Sequence, residues 1–213
     1  MSNKFTKIHS SVKYLTKIIL KLRRKLILVE TYDIYIEHIE SQNILNEFNV
    51  AYRVATSDDI RLVAKQFAKH YGINAKNEIQ KRINEGDKLI VGCLNEDIDK
   101  ICYISWMSQN EKFYKVSSLV MDLDDAICSY RALVPKRYRR MKIGYYGKMF
   151  SQNVAHDFGF KRKINFVERE NIASRKMNEK FGKRSEKQLL RIVFSGHEIL
   201  KIINGYDNEH FRK

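Results

Sequence analysis

An apolar run over residues 126–134 ends at Pro135, the only proline in the 213 residues of this chain. A short basic loop then leads into a long helical pattern over residues 140–156. Proline fixes its own φ and has no N–H, so a strand that meets it cannot carry on as a regular ladder. The chain has to turn there, and the turn has to feed a helix. A junction of that kind is an anion site on physical grounds. The first amides of a helix have no intrahelical partner, and the helix dipole places partial positive charge among them. Arg139, Arg140 and Lys142 add full charges, and Gly144 allows close approach of backbone or ligand. Taken alone, the same basic run also reads as a solvated helix start.

The rest of the chain supplies a context for the junction. Residues 51–56 form a short strand pattern, and Ser57 stands as an N-cap with Asp58 and Asp59 in the first turn. Ile60, Val63, Ala64 and Phe67 recur at helical spacing up to Tyr71, where Gly72 closes the helix. A second helix is expected over residues 77–84, with Gly86 after it. Residues 88–94 and 100–107 alternate as strands across a turn-rich connection at 95–99, and residues 113–121 and 126–134 are further strands. Beyond the 140–156 helix, Gly159 precedes a strand at 164–168, a helix at 171–181 stopped by Gly182, and a strand at 188–194. A strand meander followed by β-α-β-α-β implies an α/β (α+β) fold with one mixed, mostly antiparallel central sheet flanked by helices. Residues 51–196 are expected to form that domain, residues 1–50 a basic amphipathic appendage, and residues 197–213 a polar tail.

Charge is the compositional outlier, at a formal +15. Such a balance draws polyanions: nucleic acid, anionic lipid or a phosphate-rich cofactor. Residues 1–29 contain no acidic residue, and Lys13, Lys17, Lys21 and Lys25 make a basic row beside a stripe of Leu15, Ile18, Ile19, Leu22 and Leu26. This segment reads as a basic amphipathic helix that packs on the domain or lies on an anionic membrane surface through residues 13–28. Its continuation, residues 26–39, alternates partially at Tyr32, Ile34 and Ile36 and is a strand candidate. No interleaving of basic and aromatic residues makes a stacking platform, which disfavours nucleic acid. Cys93, Cys102 and Cys128 are isolated in apolar strands and read as buried small hydrophobes in a cytoplasmic protein. The six histidines lack the i, i+4 spacing of a helical metal site, so no metal is expected. No uncharged apolar stretch is long enough to span a bilayer, and no signal peptide precedes the domain.

The segment from Ala132 to Gly144 resembles the GNAT superfamily of N-acetyltransferases, whose signature is V-x-P followed by R/Q-x-x-G-x-G/A where the fourth strand meets the third helix. Pro135, Arg139 and Gly144 fall in that order and spacing, with Val134 directly before the proline and Ile143 at the variable position before Gly144. A second element, Asn171, Ile172, Ala173, Ser174 and then Glu179, Lys180, Phe181, Gly182, is similar to the family's N-x-x-S/A…E-K-x-G-F helix. Either element alone is weak; two in register on the right elements are stronger. The resemblance covers residues 51–195.

The resemblance implies acetyl-coenzyme A as co-substrate. Its pantetheine arm would lie on the main chain of Ala132, Leu133 and Val134. Its pyrophosphate would sit on the amides of Arg139, Arg140, Met141, Lys142, Ile143 and Gly144, with Asn171 and Ser174 close by. The activity implied is direct attack of an amine acceptor on the acetyl thioester, which needs a base for the ammonium and an acid for the departing thiolate. Tyr130 and Asp125 are the candidates for proton transfer, because they lie on or just before the strand that leads to the cofactor. The chain departs from the family at three positions: Lys142 replaces the first glycine of the loop, Asn178 stands where many relatives carry a tyrosine acid, and Lys183 replaces a phenylalanine. An amide cannot protonate a thiolate. The alternative is therefore a non-catalytic GNAT-like acyl-CoA-binding protein whose basic helix docks on a membrane, nucleic acid or protein partner.

Overall fold

The computed structural model describes residues 27–41, 43, 49–94, 100–109, 125–194 and 197–204. The basic stretch up to residue 26, the connection at 95–99 and the strand expected at 113–121 lie outside the described residues. The strands are β1 (Ile27–His38), β2 (Val50–Val54), β3 (Lys88–Leu94), β4 (Ile101–Ser108), β5 (Ala126–Leu133), β6 (Arg162–Glu168), β7 (Lys183–Phe194) and β8 (His197–Asn204). They form one eight-stranded sheet in the order β2-β3-β4-β5-β6-β1-β7-β8. Every neighbouring pair is antiparallel except β5 and β6. The helices are α1 (Ser57–Gln66), α2 (Ala68–Tyr71), α3 (Ala75–Asn84), α4 (Ile143–Asp157) and α5 (Ile172–Asn178).

Alternation along β3 separates two cores. Leu89 and Val91 meet Ile60, Val63 and Phe67 of the α1 region and Ile79 of α3, while Ile90 points the other way into a cluster with Ile143, Val154 and Ala155 of α4. Successive strand side chains face opposite sides, so α1 and α3 cover one face of the sheet and α4 the other. Helix starts differ from the sequence reading where backbone chemistry decides. The first cap is Thr56 rather than Ser57: its N–H donates to Asp59 Oδ2 at 2.8 Å, and Asp59 also pairs with Arg53 at 2.6 Å. α4 begins at Ile143 rather than 140, because Arg140 and Lys142 have φ of 69° and 53°, values a helix cannot contain.

The sheet also takes in both segments that flank the expected domain. β1, grouped by sequence with the appendage, is an inner strand: Ile34 lies opposite Phe166 of β6, and Tyr32 lies between Glu168 of β6 and Leu189 of β7. It is buried on both faces, through Asp33, Tyr35 and Glu37 on one side and Ile34 on the other. Residues 197–204, grouped with the polar tail, form β8 and pair with β7 along its length.

Candidate active site

The sheet opens where β5 and β6 part. Their parallel pairing runs from Ala126–Arg162 to Ser129–Asn165 and stops. Beyond it β5 stays with β4, but two of its residues, Arg131 and Ala132, stand opposite the single Ser105 between the pairs Tyr130–Trp106 and Leu133–Ile104. Such a bulge bends a strand and increases its twist, and Arg131 takes a φ of 49° to make it. Among the described residues β6 follows β5 no further than Ser129, and the continuing β5 edge reaches Val134 and stops at Pro135. A turn of 3-10 helix, Lys136–Tyr138, follows. Arg139 then runs extended and folds its Nε back onto the Val134 carbonyl at 3.2 Å.

The loop into α4 is shaped by two left-handed residues. Lys142, the N-cap of α4, is at φ 53°, which explains why a glycine suits this position: a side chain costs about 1–2 kcal/mol in that conformation. Strain of this sort is characteristic of ligand-gripping loops. Gly144, in the first turn, faces the strand end, and a Cβ built there would lie 3.4 Å from Val134 Cγ2. Arg139, Arg140 and Lys142 are exposed, Met141 is half-buried and Ile143 is buried against the sheet. At the start of α5, Asn171 is the N-cap and accepts the Ser174 N–H at 3.1 Å.

Polar side chains gather on both faces of the sheet near the opening. On the α3 side the Tyr130 hydroxyl donates to Asp87 Oδ2 at 2.5 Å and accepts from Arg82 Nη1 at 2.9 Å. Arg82 also binds Glu78 at 2.7 Å, and Asp87 accepts from Ser108. Burial and the hydrogen bond to Asp87 push the Tyr130 phenol far above its ordinary range, so it stays protonated. The Tyr130 ring stacks on Trp106, whose Nε1 donates to the Tyr71 hydroxyl at 2.6 Å. On the α4 side Glu37 is wholly buried and is held by Lys148, by Lys163 at 3.1 Å, by Gln152 at 3.1 Å and by Asn165 at 2.8 Å. Lys148 also donates to Asn178 Oδ1.

Of the two residues expected to move protons, only Tyr130 stands at the opening. Asp125 precedes the first residue of β5, five residues from Tyr130, or about 17 Å along a strand. Its carboxylate binds Arg162 at 2.6 Å and its carbonyl accepts from the amides of Lys161 and Arg162, so it ties the start of β5 to that of β6. The sequence reading missed Glu78, Arg82 and Asp87, whose loop and helix positions look like ordinary surface charge. It also missed Glu37, Lys148 and Lys163; the available signal was polar Lys148, Ser151 and Gln152 sharing the inward side of α4. The three cysteines are buried thiols, and burial pushes the Cys102 thiol up to about 11, far from a reactive thiolate. Among the described residues there is no group of three His, Cys, Asp or Glu placed to hold a metal, and no helix is long and apolar enough to cross a membrane.

No protein-family model matches the sequence, and no curated protein does. Solved structures do match. The GCN5-related glucosamine N-acetyltransferase region of a fungal multi-domain GH3 β-N-acetylglucosaminidase superposes with a TM-score of 0.58 at 10% identity, covering 80% of this chain and 22% of that one. A Drosophila protein superposes at 0.57 with 10% identity over 86% of this chain and 58% of its own. A GNAT-family acetyltransferase from Novosphingobium aromaticivorans superposes at 0.51 with 7% identity, covering 85% of this chain and 67% of that one. This chain thus spans well under two thirds of the first two structures it matches. In its mixed sheet and flanking helices, the chain has the fold of the GNAT N-acetyltransferases.

Proposed function

We propose that the chain transfers an acetyl group from acetyl-coenzyme A to an amine acceptor by direct attack. The observation that carries this reading is the parting of β5 from β6 immediately before a strained basic loop and the start of α4. The residues fit the co-substrate. The β5 edge beyond its last pair with β6, ending at Ala132, Leu133 and Val134, offers main-chain groups to the amides of a pantetheine arm. The loop from Arg139 to Gly144 offers the first amides of α4, together with the charges of Arg139, Arg140 and Lys142, to a pyrophosphate. Asn171 and Ser174 line the neighbouring helix start. Acetyl-coenzyme A supplies the thioester, and the residues around the opening supply binding and proton transfer.

Tyr130 is the first β5 residue past the last pair with β6, so its hydroxyl is the protein group best placed to meet an acceptor on the α3 side. Held protonated between Asp87 and Arg82, it serves as a donor and relay. Asp87 is the carboxylate that can take up the proton an acceptor ammonium loses to become the attacking amine.

Saturating acetyl-coenzyme A tests the reading. At a concentration about a hundredfold above Kd, a ligand specific for the folded state adds about 2.7 kcal/mol, which for this size raises Tm by about 5–10 °C. Gly144→Val, which fills the gap beside Val134, is expected to abolish the shift without lowering the unliganded Tm by as much. No shift for the unaltered chain would overturn the reading. A shift without consumption of acetyl-coenzyme A by any of a panel of primary amines would leave a binding protein instead.

A further inference from the structure

We infer that the Lys148 ammonium receives the departing coenzyme A thiolate, stabilising its charge and then returning it to the thiol, an inference that rests on the acetyltransferase reading above. Lys148 leaves the second turn of α4, and its Nζ contacts Glu37 Oε1 and Asn178 Oδ1. An ammonium has three N–H donors, and these two contacts leave one for a ligand. Its position follows from the partner it shares. Asn165 Nδ2 donates to the same Glu37 oxygen at 2.8 Å, and Asn165 is the β6 member of the last pair before the strands part. A thioester lying along the β5 edge toward that apex therefore ends beside Lys148 on the α4 side, across the sheet from Tyr130.

Lys163, the second cation, cannot do the same work. It is completely buried, and its donors go to Glu37 Oε2 at 3.1 Å, Ser151 Oγ at 2.9 Å and the Lys148 carbonyl at 3.4 Å. Lys163, with all three donors taken, anchors Glu37, while Lys148 keeps one for a ligand. The charged groups that face Lys148 are Glu37 from β1 and Lys163 from β6. α5 contributes the neutral Asn178, and the segment after it sets the Phe181 ring 5.2 Å from Nζ. Burial pulls the Lys148 ammonium down to about 8 against the opposing pull of Glu37. Two ammoniums against one carboxylate leave the cluster with one positive charge in excess, which stabilises a thiolate beside it.

The step balances. The amine nitrogen forms its bond to the acetyl carbon, and the C–S bond breaks with its electron pair going to sulfur. Lys148 Nζ–H gives its proton to that sulfur, the protons shed by the amine pass one at a time through Asp87 to solvent, and neutral Lys148 regains a proton from solvent.

Coenzyme A bound to the full chain provides the test without any acceptor, through the ultraviolet absorbance of its thiolate during a pH titration. The bound thiol is expected to titrate about 1–3 pH units below free coenzyme A. Lys148→Met should return it toward the free value, and Lys148→Arg should keep it low, because the charge stays. Melting curves of both variants with coenzyme A show whether each is folded and loaded. A wild-type bound thiol that titrates like the free one overturns the inference whatever the variants do, and so does a folded, loaded Lys148→Met with an unchanged thiol. Failure of the unaltered chain to bind coenzyme A would overturn the acetyltransferase reading and this inference with it.

Discussion

Glu37 decides whether two buried lysines are tolerable. It lies in an inner strand, with Lys148 and Lys163 on its two oxygens and amides from Gln152 and Asn165 completing its shell. Burial raises its carboxyl, but Lys163 and Lys148 outweigh that and leave it below its ordinary 4.5. A carboxyl with a lowered folded pKa binds fewer protons folded than unfolded. Its contribution is therefore complete above pH 4.5 and disappears as pH falls through the folded value. Glu37→Gln leaves two ammoniums without a counter-charge, so a loss of about 3–5 kcal/mol is expected at pH 7. The deficit should narrow as pH rises, because without Glu37 both lysines hold their protons less tightly than in the unaltered chain, and the variant should lose less stability than the unaltered chain below pH 4.5. Urea unfolding across this pH range checks all three. Equal stability of variant and parent at pH 7 would mean that the lysines carry no charge there.

At the scale of elements, α4 links the cofactor loop to the sheet, and Gly147 sets how closely it packs. A Cβ at this position would fall 2.6 Å from Cε1 and Cζ of Tyr103. That ring is buried in β4 and held edge-on to Tyr52 at 5.8 Å. Gly147→Ala is expected to push α4 outward at a cost of about 1–3 kcal/mol, measured as a lower urea midpoint with an unchanged slope. A neutral substitution would mean that the helix rides higher than described. The α4 region also shows what local pattern reveals. The proline stop, the basic loop and the helix were all legible at residues 132–156, and β3 matches its expected bounds. The helix start was misplaced because Arg140 and Lys142 adopt conformations that glycine would have announced and their side chains conceal. The polar cluster was illegible for another reason. Lys148 and Gln152 look like solvent-facing residues until Glu37, more than a hundred positions earlier in the chain, is seen to meet them.

The whole molecule is held together by a strand that local sequence gave no reason to place. Residues 26–39 read as a strand candidate, but its partners lie far along the chain, and only tertiary pairing sets β1 between β6 and β7. β1 pairs over Tyr32–His38 with β6 and over Ile27–Ile36 with β7. It also anchors α5, through Asp33 on Arg175 Nε at 3.0 Å and the Tyr35 hydroxyl on Glu179, and the turn after α5, where a Cβ at Gly182 would collide with the Ile36 carbonyl oxygen. Removing β1 would leave β7 and β8 as a detached hairpin, expose the inner edge of β6 and strip Lys148 and Lys163 of Glu37. The combined loss exceeds the about 5–15 kcal/mol by which domains are stable, and an isolated hairpin is marginal in water. Two truncations separate the strand from what precedes it. A chain beginning at residue 27 keeps every described element and is expected to melt cooperatively and to retain its acetyl-coenzyme A shift. A chain beginning at residue 41 is expected to show no cooperative melt and no shift, by circular dichroism and by thermal scan. If the shorter chain melted cooperatively with its cofactor response intact, β1 would not be part of the sheet that carries the site.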